Sequence, residues 1–182
     1  MDELKRLLEA YDELLTTQVS LVTTSIKMYR GDTRSRDEIT CSEGFFPKKN
    51  RDESTDYYNV IQHCIINGYG GPFISITSSK ERAQEFASPK GYVYTIREGI
   101  QIIDFDSMVN HLDSHLKRIE AAIHNLETAN PQISSQMDFI SRKNQYVNYR
   151  KELNAAQSYH KAQEEDLVPK KISLSDICWD EM

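Results

Sequence analysis

Cysteine is scarce in this chain, and Cys41, Cys64 and Cys178 are odd in number, widely spaced and free of any CxxC or Cys/His cluster. That excludes a disulfide framework and gives no zinc pattern, so a reducing compartment and no metal requirement are expected. Long apolar runs are missing too: no segment approaches the roughly 20 apolar residues of a membrane span, and no membrane partner is expected. Met1-Asp2-Glu3-Leu4-Lys5-Arg6 lacks the basic region and apolar stretch of a secretory signal. The expected place of action is a cytoplasm, either the protein's own or that of a host or target cell reached without a Sec signal peptide. Positive charge is not in excess: 22 Lys and Arg stand against 28 Asp and Glu, a net charge of -6. Such a surface has no broad attraction for phosphate backbones, which favours a protein acceptor over a nucleic acid. No internal repeat or low-complexity tract is present.

What is there suffices for one core. At 182 residues with 38% hydrophobic residues, the chain reads as a single domain over 1–182, since single cores typically hold about 100 to 200 residues. Leu4, Leu7, Leu8, Tyr11, Leu14, Leu15 and Val22 recur at helical spacing, predicting an N-terminal helix over 1–24. A strand is predicted from Ser25 to Arg30, loop from Thr33 to Tyr58, and a short helix from Tyr57 to Ile66 closed by Asn67-Gly68. Phe73 to Thr77, Tyr92 to Ile96 and Ile100 to Phe105 read as strands, with a helix from Ser79 to Ala87 among them. From Asp106, taken as an N-cap, Leu112, Leu116, Ile119, Ile123 and Leu126, then Ile133, Met137, Ile140 and Val147, predict a helical hairpin over 107–160, inserted into a strand-rich domain. Ile172 to Trp179 reads as a closing strand. The class is α+β.

Four separated pieces carry chemistry. Arg30 offers a planar fork of donors suited to a diphosphate. In Phe73-Ile74-Ser75-Ile76-Thr77, period-two alternation sends Ile74 and Ile76 to one face and Ser75 to the other. His63 ends Asn59-Val60-Ile61-Gln62-His63, and Gln163-Glu164-Glu165 precedes a Pro-Lys-Lys turn. On extended chain Gln163 and Glu165 would face the same way. His111, His115, His124 and His160 fall at no catalytic spacing.

Tyr29-Arg30-Gly31-Asp32-Thr33-Arg34, with Gly44-Phe45 after a spacer, resembles the opening motif of bacterial ADP-ribosyltransferase toxins of the pertussis, cholera and pierisin type. The segment ending at His63 is similar to that family's Asn-Val-x-x-His. The Phe73 to Ser79 stretch resembles its aromatic-hydrophobic-Ser-Thr-Ser strand, with Ile76 in place of the middle threonine. Gln163-Glu164-Glu165 followed by Ile172 resembles its Gln-x-Glu motif. The resemblance implies an ADP-ribosyltransferase-like split β-sandwich using NAD as co-substrate and transferring ADP-ribose to a macromolecule. It assigns NAD binding to Arg30 with Gly31 and Asp32 beside it, an approach to the ribose to His63, and positioning of the glutamate to Ser75. Glu165 becomes the catalytic carboxylate and Gln163 the contact to the incoming nucleophile, with Tyr159, His160 and Lys161 in an acceptor-recognition turn. Gln rather than Glu at 163 speaks against an arginine acceptor. The N-terminal helix and the hairpin lie outside the resemblance. Two rival expectations stand beside this one: an NAD glycohydrolase with water as acceptor, and an inactive interaction module on the same scaffold, motivated by Ile76 and the extra helices.

Overall fold

The computed structural model describes residues 1–47, 54–66, 71–169 and 171–179. The first helix, α1 (Asp2–Leu15), buries Leu4, Leu8 and Tyr11, with Asp2 and Glu3 facing its positive N-terminal end. It stops well short of residue 24. The β-branched Val19, Val22, Thr23 and Thr24 disfavour helix, and Leu21–Thr23 forms strand β1, leaving Leu21 and Val22 41% and 42% exposed. Strand β2 (Met28–Asp32) follows. The predicted loop 33–58 contains helix α2 (Arg36–Cys41) and strand β3 (Gly44–Phe45). A Ser-x-x-Glu capping box starts α2: Ser35 Oγ accepts from the Glu38 amide at 3.4 Å, and Glu38 Oε2 accepts from the Ser35 amide at 2.7 Å.

Helix α3 (Tyr57–Ile65) is capped by the Asp56 carboxylate; the predicted Asn67-Gly68 stop lies outside the described residues. Strand β4 (Phe73–Thr77) leads to α4 (Lys80–Ala87), capped by Ser79, and then to β5 (Tyr92–Ile96) and β6 (Gln101–Ile103). Asp104, two residues before the expected cap, starts the long helix α5 (Phe105–Ala129). A short 3₁₀ turn over Pro131–Ser135 joins it to α6 (Met137–Gln163). Strands β7 (Glu165–Pro169), β8 (Ile172–Ser173) and β9 (Ile177–Cys178) finish the described chain, a 3₁₀ turn breaking the single closing strand expected there.

The fold is α+β around an antiparallel five-stranded sheet in the order β7-β4-β2-β5-β9, with β1-β6 and β3-β8 as separate pairs. Alternation along the strands divides two cores. Phe73 and Leu167 face a large one built from α1, α3, α5 and α6, while Ile74, Ile76 and Val168 face a smaller one with Met28, Phe45, Tyr94 and Ile96. Ile76 therefore sits where an apolar side chain suits the position. The hairpin is no appended insertion. Leu112, Leu116, Ile119, Phe139, Leu153 and Ala156 are buried in the large core against Leu4, Leu8, Val60 and Leu167. Its distal face is less buried than the apolar stripe implied, because Met137 and Val147 point away from the core and are exposed.

The sheet splits at one place. Strand β2 pairs with β5 from Met28 opposite Ile96 to Asp32 opposite Tyr92, and β4 pairs with β7 from Phe73 opposite Pro169 to Thr77 opposite Glu165. Between β2 and β4 the only register pair is Tyr29 opposite Thr77. Beyond that row β2 and β4 are no longer paired. Gly31 lies beyond it with α4 against it: a Cβ there would stand 2.0 Å from the Ala83 carbonyl oxygen and 2.5 Å from the Ala87 amide nitrogen. Both are helix backbone and cannot swing aside. Gly31→Ala is expected to cost about 3 kcal/mol, read as a shift in the denaturant midpoint.

Candidate active site

The fork of the split collects the residues that the sequence singles out. In an uninterrupted ladder Ser75 would stand opposite Gly31. Instead its carbonyl accepts a hydrogen bond from Arg30 Nη1 at 2.7 Å, so the guanidinium fills the gap between the strands. Arg30 Nη2 donates to Asp32 Oδ2 at 3.0 Å, and the guanidinium carbon lies 5.0 Å from the Phe45 ring centroid. Burial pushes the Arg30 pKa down, with Asp32 opposing that shift. Arg30 Nε is buried without a partner among the described residues.

Asp32 is the hub beside it. Its carboxylate accepts from the Arg34 amide at 3.1 Å and, as a two-pronged pair, from Arg34 Nε and Nη2, both at 2.8 Å. Burial is the largest influence on Asp32 and favours protonation. The Arg34 hydrogen bonds and the Arg30 charge together outweigh it and hold the carboxyl at about 2. The Tyr94 hydroxyl donates to the Arg34 carbonyl at 2.6 Å, anchoring this turn to the small core. Lysine at position 30 would supply one point charge where the site uses a fork. Arg30→Lys is accordingly expected to lower stability by about 1–3 kcal/mol by leaving a buried acceptor unpaired and, were a dinucleotide held here as the family resemblance implies, to weaken its binding about tenfold or more. Calorimetric titration with NAD and a denaturation curve check the two effects.

Glu165 starts β7 at the same row, opposite Thr77, and is only 4% exposed. Its Oε1 lies 3.8 Å from His63 Nε2. The His63 ring stands edge-on to Phe73 at 5.6 Å, and its Nδ1 is buried and unpartnered among the described residues. The next residue along α3, Cys64, is buried, and that burial, with Glu165 nearby, pushes its thiol up to about 12. Thr77 Oγ1 accepts from the Ser79 amide at 3.1 Å, tying the fork to the start of α4. Two buried carboxylates result: Asp32, paired with Arg30 and Arg34, and Glu165, facing His63. Such a group can accept a hydroxyl proton or stabilise a developing cation.

Several expectations do not hold. Gln163 is the last residue of α6 rather than part of an extended chain, and Glu164 takes a left-handed conformation (φ 50°) before the strand begins. This reversal removes the simple period-two relation between Gln163 and Glu165. Gln163 is partly exposed and Glu164 exposed. Tyr159, His160 and Lys161 lie in the last turns of α6, not in a turn of their own. His160 stacks on Phe105 with centroids 3.9 Å apart, and Arg82 Nη2 donates to the Ala162 carbonyl at 2.9 Å, pinning the helix end to α4. Gly31 packs closely on α4, with no room for a Cβ. Ser75 contributes its backbone carbonyl to Arg30.

Phe45 under the guanidiniums and Tyr159 beside Glu165 are the site residues whose roles sequence reading missed; the apolar spacing Leu153, Ala156, Tyr159 is the signal that marks the latter as core-facing. His111 pairs with Tyr57 and His115 Nε2 lies 2.8 Å from the Leu7 carbonyl, both within helix packing. A shallow hollow of about 820 Å³ between α4 and β5, bordered by Glu85 and Tyr92, includes none of the fork residues. Among the described residues no group of His, Cys, Asp or Glu is arranged to hold a metal ion, and no helix is long and apolar enough to cross a membrane. Comparison with known protein families, curated proteins and solved structures gives no match.

Proposed function

We propose that this chain is a mono-ADP-ribosyltransferase of the Arg-Ser-Glu type, a toxin-like effector on an ADP-ribosyltransferase-like split β-sandwich. It would cleave NAD and pass ADP-ribose to a macromolecular nucleophile other than arginine, a protein in preference to a nucleic acid. The observation that supports the reading is a pair of contacts within one sheet, Arg30 on the Ser75 carbonyl and His63 facing Glu165, which draw on segments up to 135 residues apart.

The proposed chemistry follows from the charges. Breaking the bond between nicotinamide and ribose develops positive charge on the sugar, and a buried carboxylate in a low-dielectric cleft stabilises that charge more than water would. Glu165 accepts the ribose hydroxyl and stabilises the cation. Arg30 supplies positive potential for the diphosphate and keeps the two halves of the sheet joined across the cleft. His63 borders the ribose, and Gln163, partly exposed at the end of α6, is within reach of an acceptor arriving from solvent.

One observation favours a second reading. The segment leading to Glu165 is helical to Gln163, without the separate acceptor-facing turn that the family resemblance implies. That arrangement suits water as acceptor, an NAD glycohydrolase. Incubation with NAD labelled in its adenylate moiety, together with a cell lysate, separates the two. Macromolecular label removed by protease supports a protein acceptor, and label removed by nuclease redirects the reading to nucleic acid. Nicotinamide release without macromolecular label supports the hydrolase. An intact NAD pool overturns both.

A further inference from the structure

Glu165 is the first residue of β7, and on one side its place is fixed by the ladder with β4, where it stands opposite Thr77. On the other side the chain reaches it from the end of α6 through a single left-handed residue, Glu164, at φ 50°. A residue other than glycine keeps that conformation only where its surroundings over-determine it. The last carbonyls of a helix have no partner inside it and carry the negative end of its dipole. At the end of α6 one of them, the Ala162 carbonyl, accepts a hydrogen bond from Arg82 Nη2 at 2.9 Å, across 80 residues of sequence. Arg82 belongs to α4 and lies outside the four motifs that carry the family resemblance.

Arg82 is itself held in place. Its amide donates to Ser79 Oγ at 3.1 Å, the Ser79 amide donates to Thr77 Oγ1 at 3.1 Å, and Arg82 Nη1 pairs with Glu85. The contacts close a ring. Glu165 faces Thr77 across the ladder, Thr77 holds Ser79, Ser79 caps the turn that carries Arg82, and Arg82 holds Ala162, from which Gln163 and Glu164 lead back to Glu165.

We propose that Arg82 is a positioning residue for the junction between α6 and β7: by holding the end of α6 to the start of α4, it sets where Glu165 and Gln163 stand relative to each other. Its side chain is 31% exposed, so the role does not consist in filling the core. The inference rests on the reading of Glu165 as the reacting carboxylate, and it deepens that reading.

The test compares Arg82→Ala, Arg82→Lys and Glu85→Gln, with etheno-NAD as the probe of glycosidic cleavage. Arg82→Ala is expected to lower kcat by about tenfold with KM within about twofold, because a reacting group displaced by about an ångström loses rate while Arg30 and Asp32 are untouched. Arg82→Lys, which keeps a donor for the carbonyl, should recover part of that loss. Glu85→Gln removes the exposed ion pair and leaves the Ala162 contact, so its rate should stay within about twofold of wild type. In a Glu165→Gln background Arg82→Ala should have no further effect on the residual rate. Hydrogen exchange needs no activity: in Arg82→Ala the amides of the last turn of α6 and the first residues of β7 should exchange about tenfold faster, with the centre of α6 unchanged. Unaltered exchange at the junction, exchange that rises throughout the chain, a raised KM with kcat unchanged, a kinetic loss that persists in the Glu165→Gln background, or an equal loss in Glu85→Gln overturns the role of Arg82. Exchange that responds only at the junction, in a protein whose wild type leaves etheno-NAD intact, overturns instead the enzymatic reading of Glu165, and with it any catalytic consequence of the contact.

Discussion

Glu165→Gln is expected to reduce NAD cleavage by about a hundredfold or more while the protein still folds and still binds the dinucleotide. The substitution keeps shape and one acceptor oxygen but removes the negative charge. With Glu165 only 4% exposed, its charge would act on the proposed ribosyl cation at low effective dielectric, which is why its loss should dominate. Glu164→Gln is the internal control. Glu164 is exposed at the helix cap, outside the cluster formed by Arg30, His63 and Tyr159, and its loss should leave the rate within about twofold of wild type, as expected of a solvated charge. Nicotinamide release measured for both variants, with cooperative unfolding recorded alongside, checks the assignment. A larger loss at 164 than at 165 would sink it.

Replacing residues 107–160 by a short Gly/Ser linker is expected to abolish cooperative folding, and NAD cleavage with it. About half of the buried side chains of the large core come from this segment and the residues at its edges, and the hairpin packs on α1, α3 and β7 as well as on itself. Ion pairs across the two helices, Lys143 with Glu127 at 2.7 Å and Arg150 with Asp113, order the hairpin but contribute little beside that burial. A milder probe is Leu116→Ala, fully buried at the centre of α5, which should cost about 2–5 kcal/mol in denaturant unfolding. If the linker variant instead unfolded cooperatively and still released nicotinamide, the hairpin would be a separable recognition element.

Local signals in this chain are strong where propensity, period and caps agree. Phe73–Thr77 and Tyr92–Ile96 form strands over the lengths that their aromatic and β-branched runs imply, and Ser79 caps α4 as its position before Lys80 suggests. At Val22 apolar spacing alone predicts helix where the chain is strand, because β-branched residues can continue a helical pattern by chance while their backbone prefers to extend. The capping box at Ser35 and Glu38 was legible, and it lay hidden inside a polar stretch that reads as loop. The relation between Gln163 and Glu165 could not be read at all, since it depends on one left-handed residue between a helix and a strand.

The sequence by itself determined the α+β class and most of the strands and helices, because each follows from interactions within a few positions of the chain. Tertiary structure alone decided three things. It left β2 and β4 unpaired beyond one row, so that the Arg30 side chain, rather than backbone, satisfies the Ser75 carbonyl. It brought Tyr159 and His63 around Glu165. It also made the hairpin part of the main core rather than an ornament on it. All three depend on which surfaces meet across long sequence separations, a property of packing that no local window of residues contains.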